Sequence, residues 1–324
     1  MKKIAILTSG GDAPGMNAAI RAAARQAHQY RWAMVGVRNG YQGLMEADFT
    51  ELGPRQVGGI LQQGGTVLGS ARSLDFKTQA GRQRALDGLA QAGIAGLIVV
   101  GGNGSQTGAD ALNKMGFPTV GIASTIDNDL VGSDITIGVD TALNIALEAI
   151  DRLKVTAASH KRAFLVEVMG RDCGYLALMA AIAGGAEAVC IPEIETHPSE
   201  IAKNLLEGWE AGKRNGLVVV AEGAKYDAAA IEAWFAANRT DVGFQIRSTI
   251  LGHVQRGGTP TASDRILASQ LGAAAARILC TGQPTGVLVG IIAGKVTTTP
   301  LAQIAGITKA PDIELMKLAE TLAL

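Results

Sequence analysis

Aromatic residues, cysteine and any excess of charge are all scarce in this sequence of 324 residues. Lys and Arg number 29, Asp and Glu number 29, and aromatics make up 4%. The balanced charge excludes a general basic field that would gather nucleic acid or an anionic membrane, so any phosphate binding must be local. The three cysteines, Cys173, Cys190 and Cys280, show neither the C-x-x-C spacing of metal sites nor the even count of a secreted disulfide framework. They read as reduced thiols, and the expected compartment is the cytoplasm. Long apolar runs are missing too. The most apolar stretch, 176–192, is broken by Gly184, Gly185 and Glu187, too short to span a bilayer. The opening MKKIAILTSGG begins basic and then apolar, but its apolar run is brief and meets a Gly-rich turn, which reads as a first strand rather than a signal peptide. No low-complexity tract, charge block or repeat is visible.

What the sequence does hold is layered α/β patterning. Short aliphatic runs recur at 4–8, 33–37, 96–100, 119–123, 163–168, 188–192, 217–221 and 287–291. Such continuous runs suit strands buried on both faces. Ala-rich segments of helical spacing lie between them: 17–29, 82–91, 141–157, 199–211 and 264–279. Alternating strands and helices predict mainly parallel sheets with right-handed crossovers, and ligands at the carboxyl ends of the strands. Composition fits one large unit or two medium domains and draws no boundary; the 129–136 loop is one candidate.

Five strand-end segments carry candidate chemistry. The first is Gly10-Gly11-Asp12-Ala13-Pro14-Gly15-Met16-Asn17, opening a helix with Arg21 and Arg25. A helix N-terminus stripped of side chains offers N–H groups and a positive dipole end to phosphate, although Gly-rich strand-to-helix turns are also common without ligands. The Lys-Ser/Thr ending of a Walker A loop is absent. A second Gly-rich turn, Gly101 to Gly108, lacks the G-x-G-x-x-G spacing of a dinucleotide fold, which argues against a dehydrogenase. Third, Thr125-Ile126-Asp127-Asn128-Asp129 sets two carboxylates two residues apart. In such a loop one carboxylate can take a hydroxyl proton while the other helps hold a metal; a solvated Asx-rich turn is the plain alternative. Fourth, Glu167-Val168-Met169-Gly170-Arg171 ends in a guanidinium suited to a transferring phosphoryl group. Fifth, Arg247 and Leu251-Gly252-His253-Val254-Gln255-Arg256-Gly257-Gly258 gather a His and two Arg, as a sugar phosphate would require.

Together these strings resemble the bacterial ATP-dependent 6-phosphofructokinase family. GGDAPGMNA, GGTVLGSARS, TIDND, EVMGRDCG, AEG and LGHVQRGG appear in the family's order and spacing, from the first strand to about residue 305. The resemblance implies two three-layer α/β/α domains with mainly parallel sheets. A nucleotide-binding domain would cover 1–138 plus about 255–305, and a sugar-phosphate domain 139–254 plus 306–324, with the active site in the cleft between them and a homotetramer as the assembly. It implies that Gly11, Tyr41, Arg72, Ser73, Lys77, Gly102, Asn103, Gly104, Ser105 and Gly108 line the ATP site. Asp127 would be the general base, with Thr125, Ile126 and Asp129 holding the reacting end. Gly11 and Arg171 would stabilise transition-state charge. Met169, Gly170 and Glu222 would contact the sugar, His253 and Arg256 its 6-phosphate, and Arg162 and Arg247 would reach in from a neighbouring subunit.

The family's second turn normally reads GGDGS, with its Asp on Mg²⁺; here that position is Asn103, which brings an amide oxygen but no charge. Mg²⁺ is the expected cofactor, with Asn103 and Asp129 as its candidate ligands. Pyrophosphate-using relatives carry Asp at the position of Gly104 and Lys at that of Ser124, so the donor is expected to be ATP. An effector site for ADP or phosphoenolpyruvate is implied at Arg21, Arg25, Lys154, Glu187 and Lys213, although Pro54 and Ala211 replace two usual basic residues. The alternatives are a pyrophosphate-dependent phosphofructokinase and a non-catalytic regulatory paralogue. Neither nucleic acid nor membrane is an expected partner.

Overall fold

Strand-forming aliphatic runs and Ala-rich helices sort into two sheets, each covered by helices on both faces. The computed structural model describes residues 1–160, 162–213, 215–238, 246–310 and 312–323. The chain divides into two units, Met1–Thr141 with Arg256–Lys309, and Ala142–Gln255 with Ala310–Leu324. No helix among the described residues is long and apolar enough to cross a membrane.

In the first unit seven strands form one sheet: β1 (Lys3–Thr8), β2 (Ala33–Val37), β3 (Phe49–Glu51), β4 (Ile94–Gly101), β5 (Thr119–Ala123), β10 (Val287–Ile292) and β11 (Lys295–Pro300). Their order is β11-β10-β5-β4-β1-β2-β3. The five inner strands pair in parallel, whereas β3 and β11 run antiparallel at the edges. Period-two alternation divides the residues between the faces. Ala5, Leu7, Val35, Val37, Leu97 and Val99 pack with Leu44, Leu89 and Leu112 of α2 (Gly40–Met45), α3 (Gln79–Gln91) and α4 (Asn103–Lys114). The opposite face is covered by α1 (Met16–Gln29) and α9 (Ala262–Thr281), which run against each other. Gly272 allows that close approach, since a Cβ there would lie 2.4 Å from the Ala19 carbonyl.

The second unit holds a four-stranded parallel sheet in the order β7-β8-β6-β9, made of β6 (Ala163–Val168), β7 (Ala188–Cys190), β8 (Gly216–Ala221) and β9 (Ile246–Ile250). One face packs Leu165, Val218 and Val220 against Ile201, Leu205, Ile231 and Phe235 of α7 (Pro198–Glu210) and α8 (Ala228–Ala237). The other meets α6 (Tyr175–Gly184), on which α10 (Ile313–Leu322) lies.

The long helix α5 (Val139–His160) begins in the first unit and continues into the second. Its first turn has orphan N–H groups, and a residue from α9 supplies the cap. Asp264, fully buried, accepts from Gly138 N (2.7 Å), Thr141 N (2.8 Å) and Thr141 Oγ1 (2.5 Å). Thr261 completes the knot by donating to Asp140 Oδ2 at 2.6 Å and accepting from Asp264 N. Replacing Asp264 with Ala strands three buried donors and is expected to lower stability by about 2–4 kcal/mol; the midpoint of urea denaturation measures it.

Candidate active site

The turn between β1 and α1 is built by backbone. Gly15 caps α1 in the left-handed region (φ +112°), and no side chain caps the helix; Met16 N turns back to the Ala13 carbonyl at 3.2 Å, and the N–H groups that follow it are the ones an anion can approach. The GGTVLGS segment is held beside this turn. Asn17 donates to the carbonyls of Gln63 and Gly64 and accepts from Val67 N, Thr8 bonds Thr66 and the Gly69 carbonyl, and Ser70 Oγ donates to the Gly10 carbonyl. Sequence reading missed Thr8 and included Asn17 in the first string without a role; the signal for both is a polar residue directly flanking a Gly-rich string. Arg256, expected at the sugar phosphate, lies on this turn. A Cβ at Gly11 would stand 2.3 Å from its Nη1, and that atom is 4.0 Å from Asp12 Oδ1. Arg256 Nε is buried without a partner.

The second Gly-rich string proves to be a helix start rather than a turn. Gly102 is the extended N-cap and Asn103 the first residue of α4. Local propensity is overridden here because packing decides: Gly102 fits against the Thr125 side chain and Gly108 against the Tyr41 ring. Gly104 faces open space. Behind the helix start, Gln106 is wholly buried, and its Nε2 donates to the carbonyls of Val99 (3.3 Å), Gly101 (2.8 Å) and Ile122 (3.2 Å), joining the ends of β4 and β5. Tyr41 is also buried. Its ring stacks on Phe76 at 3.9 Å, and its hydroxyl, kept protonated by a pKa that burial pushes up, donates to the Ser105 carbonyl at 2.6 Å. Tyr41 therefore supports α4 from below. Arg72 and Lys77 are exposed, while Ser73 accepts from Phe76 N.

At the end of β5, Ser124 is enclosed, its Oγ buried without a partner. Thr125 Oγ1 accepts from Asp127 N, and Asp127 is nearly enclosed, as is Ile126. Asn128 adopts the left-handed region (φ +53°), fixed by its own amide, which accepts from Thr136 N and donates to the Asp134 carbonyl. Asn103 Nδ2 reaches across to Asp129, donating to Oδ2 at 2.9 Å and to the carbonyl at 3.3 Å, while Asn103 Oδ1 is buried without a partner. Among the described residues no group of three or more His, Cys, Asp or Glu could hold a metal by itself.

In the second unit, Met169, Gly170 and Arg171 follow β6, and Glu222 follows β8. Glu222 Oε1 accepts from Gly170 N (3.3 Å) and Arg171 N (2.9 Å). Arg162 and Arg247 sit at the opposite end of the sheet. Arg162 immediately precedes β6 and Arg247 pairs with Phe164, which puts them roughly 15–25 Å from Met169 at strand spacing. Arg247 meets Glu232 at 3.6 Å, and His253 is exposed. The implied effector residues of this unit gather: Lys213 bridges Glu187 Oε1 (3.3 Å) and the Ala323 carbonyl (2.9 Å), and Lys154 donates to the Gly184 carbonyl (2.6 Å), near Gly185. Arg21 and Arg25 lie on α1 of the first unit.

In each α/β unit the strand ends carry carboxylates and guanidinium groups, and in the first they also meet helix starts without side-chain caps, group types that suit phosphate. A family model described as Phosphofructokinase matches residues 3–279, and the chain belongs to that family. It is 50% identical over 325 residues to ATP-dependent 6-phosphofructokinase 1 of Thermus thermophilus, and 47% identical over 324 residues to ATP-dependent 6-phosphofructokinase of Brevibacillus brevis, covering all of each chain. The phosphofructokinase structure from Saccharomyces cerevisiae matches with a TM-score of 0.88 at 36% identity, over all of this chain and 48% of the yeast chain.

Replacing Tyr41 with Phe removes one buried hydroxyl bond. It is expected to cost about 1 kcal/mol, read as a lower melting temperature, with the nucleotide dissociation constant moving less than threefold.

Proposed function

We propose that the chain is an ATP-dependent 6-phosphofructokinase, moving the ATP γ-phosphoryl group to the 1-hydroxyl of fructose 6-phosphate in glycolysis. The observation that carries this reading is the placement of Asp127: a nearly enclosed carboxylate after β5, in the loop whose Thr125 packs on the N-cap of α4. A base beside a phosphate-gathering helix end is what phosphoryl transfer requires. Asp127 takes the hydroxyl proton as the sugar oxygen bonds to the γ-phosphorus and the bond to the bridging oxygen of ADP breaks. First-turn N–H groups of α1 after Met16, and of α4 before Ser105, hold phosphate oxygens. Gly11 N–H and the Arg171 guanidinium carry the charge that develops on the transferring group.

The residues present fit a divalent cation. Mg²⁺ ordinarily takes one or two carboxylates plus phosphate oxygens; Asp129 supplies one carboxylate, and the unpartnered Asn103 Oδ1 a neutral second oxygen. Bound there, the ion would neutralise charge on the nucleotide phosphates. The open space at Gly104 favours a nucleotide over pyrophosphate as donor. Arg162 and Arg247, far along the sheet from Met169, are assigned to a neighbouring subunit's site in a homotetramer, so an isolated subunit would be nearly inactive. Lys154, Glu187 and Lys213, with Arg21 and Arg25, would bind ADP or phosphoenolpyruvate as effector, and the enzyme would work in the cytoplasm.

Fructose 1,6-bisphosphate formation, followed with ATP and separately with pyrophosphate, tests the reading. Saturable turnover with ATP alone is expected, and no turnover with either donor overturns it. Asp127→Asn should lower kcat by about 10²–10⁴-fold with little change in ATP affinity. Asn103→Asp adds a carboxylate and should lower the Mg²⁺ concentration needed for half-maximal rate; an unchanged Mg²⁺ titration would remove Asn103 from the metal site.

A further inference from the structure

The turn after β6 holds its shape against the preferences of its residues. Gly170 has φ +147° and Arg171, a non-glycine, has φ +51°, and the left-handed region costs an L-residue about 1–2 kcal/mol. Strain of this kind persists only where the surroundings over-determine it. Here three successive backbone N–H groups are each captured by a side-chain oxygen. Met169 N donates to Gln255 Oε1 at 2.7 Å, and Gly170 N and Arg171 N both donate to Glu222 Oε1, at 3.3 and 2.9 Å. Behind them the Arg171 carbonyl presses on Gly223, where a Cβ would stand only 1.9 Å away. Gln255 is wholly buried, and its other amide atom is also used: Nε2 donates to the Ala142 carbonyl at 3.3 Å. A donor on one side and an acceptor on the other leave the amide one orientation, and among side chains of that length only the amide offers both without first taking up a proton.

We infer that Gln255 is a positioning residue: with Glu222 it clamps the Met169–Arg171 turn in its strained form and so fixes where the Arg171 guanidinium is presented. The purpose of the clamp rests on the phosphotransferase reading, in which Arg171 meets the transferring group; the clamp itself rests on the hydrogen bonds. It also assigns Glu222 a second task. One of its oxygens serves the backbone of the turn, so the residue shapes the sugar-binding loop as well as facing the sugar. Gln255 lies between His253 and Arg256 in the sequence, and its selection at that place follows from the amide geometry rather than from contact with a ligand.

Two variants and two readouts test this. Gln255→Met keeps the length of the side chain and removes both hydrogen bonds. It is expected to lower kcat by about 10–100-fold, the cost of a misplaced catalytic group, with KM for ATP within twofold of wild type and with faster amide hydrogen exchange in the peptide carrying Met169–Arg171. Gln255→Glu, once protonated, again offers an acceptor to Met169 and a donor to Ala142, so its kcat relative to wild type should climb as pH falls from 8 to 6. A folded Gln255→Met protein with kcat within threefold of wild type, or with unchanged exchange in that peptide, overturns the clamp. So does a pH-independent ratio for Gln255→Glu, or an equal loss of kcat and ATP binding. If the wild type turns over no fructose 6-phosphate, the phosphotransferase reading falls, and the exchange experiment still decides for or against the clamp.

Discussion

One side-chain amide joins the two strands at the centre of the larger sheet. Gln106, fully enclosed, donates to carbonyls at the ends of β4 and of β5. Those strand ends lead into the α4 N-terminus on one side and the Thr125–Asp129 loop on the other, and the Gly101 carbonyl also accepts from Ser124 N at 3.3 Å. A buried carbonyl left unpaired costs about as much as a lost hydrogen bond. From the second turn of the α4 helix, Gln106 ties that helix start to both strand ends, beside the loop in which Asp129 meets Asn103.

Each unit stores backbone strain in the loop after a central strand. Asn128 follows β5 and Arg171 follows β6, and both are non-glycine residues in the left-handed region. The means of holding them differ. Asn128 is self-supporting, since its own amide bonds Thr136 and Asp134 across a short loop. Arg171 has a long side chain that cannot return to its own backbone in this way, and it depends on Glu222, just after β8. Strain of this kind gathers where function needs a fixed geometry.

Much of the architecture was legible because buried parallel strands announce themselves. All eight aliphatic runs became strands, and mainly parallel pairing followed from their alternation with helices. The strands that escaped notice, β3, β9 and β11, have polar or mixed composition, as in FTE, IRSTI and KVTTTP; β3 and β11 lie at the antiparallel edges, and β9 ends the smaller sheet. The helix α4 was hidden because glycine-rich residues 101–108 look like a turn, while its start is set by packing on Thr125 and Tyr41. At the site, residue types were visible but partnerships were not. The Asn103–Asp129 and Gln255–Met169 bonds join positions 26 and 86 residues apart, and no periodicity encodes such pairs.

The larger sheet is completed out of order. β5 ends at Ala123, while β10, its parallel neighbour, begins at Val287, after the whole of the second unit's sheet has been made. At about 5–20 residues per second, a ribosome needs roughly 8–30 s to cover that interval. Throughout it β5, with Val120, Ile122 and Ala123 among its five residues, lacks its β10 neighbour, and such an edge invites pairing with another chain. The cap of α5 arrives equally late, because Asp264 is translated more than a hundred residues after Thr141. A first unit that formed during synthesis would thus be a sheet with an open side and a helix with an open end until its last two strands emerged.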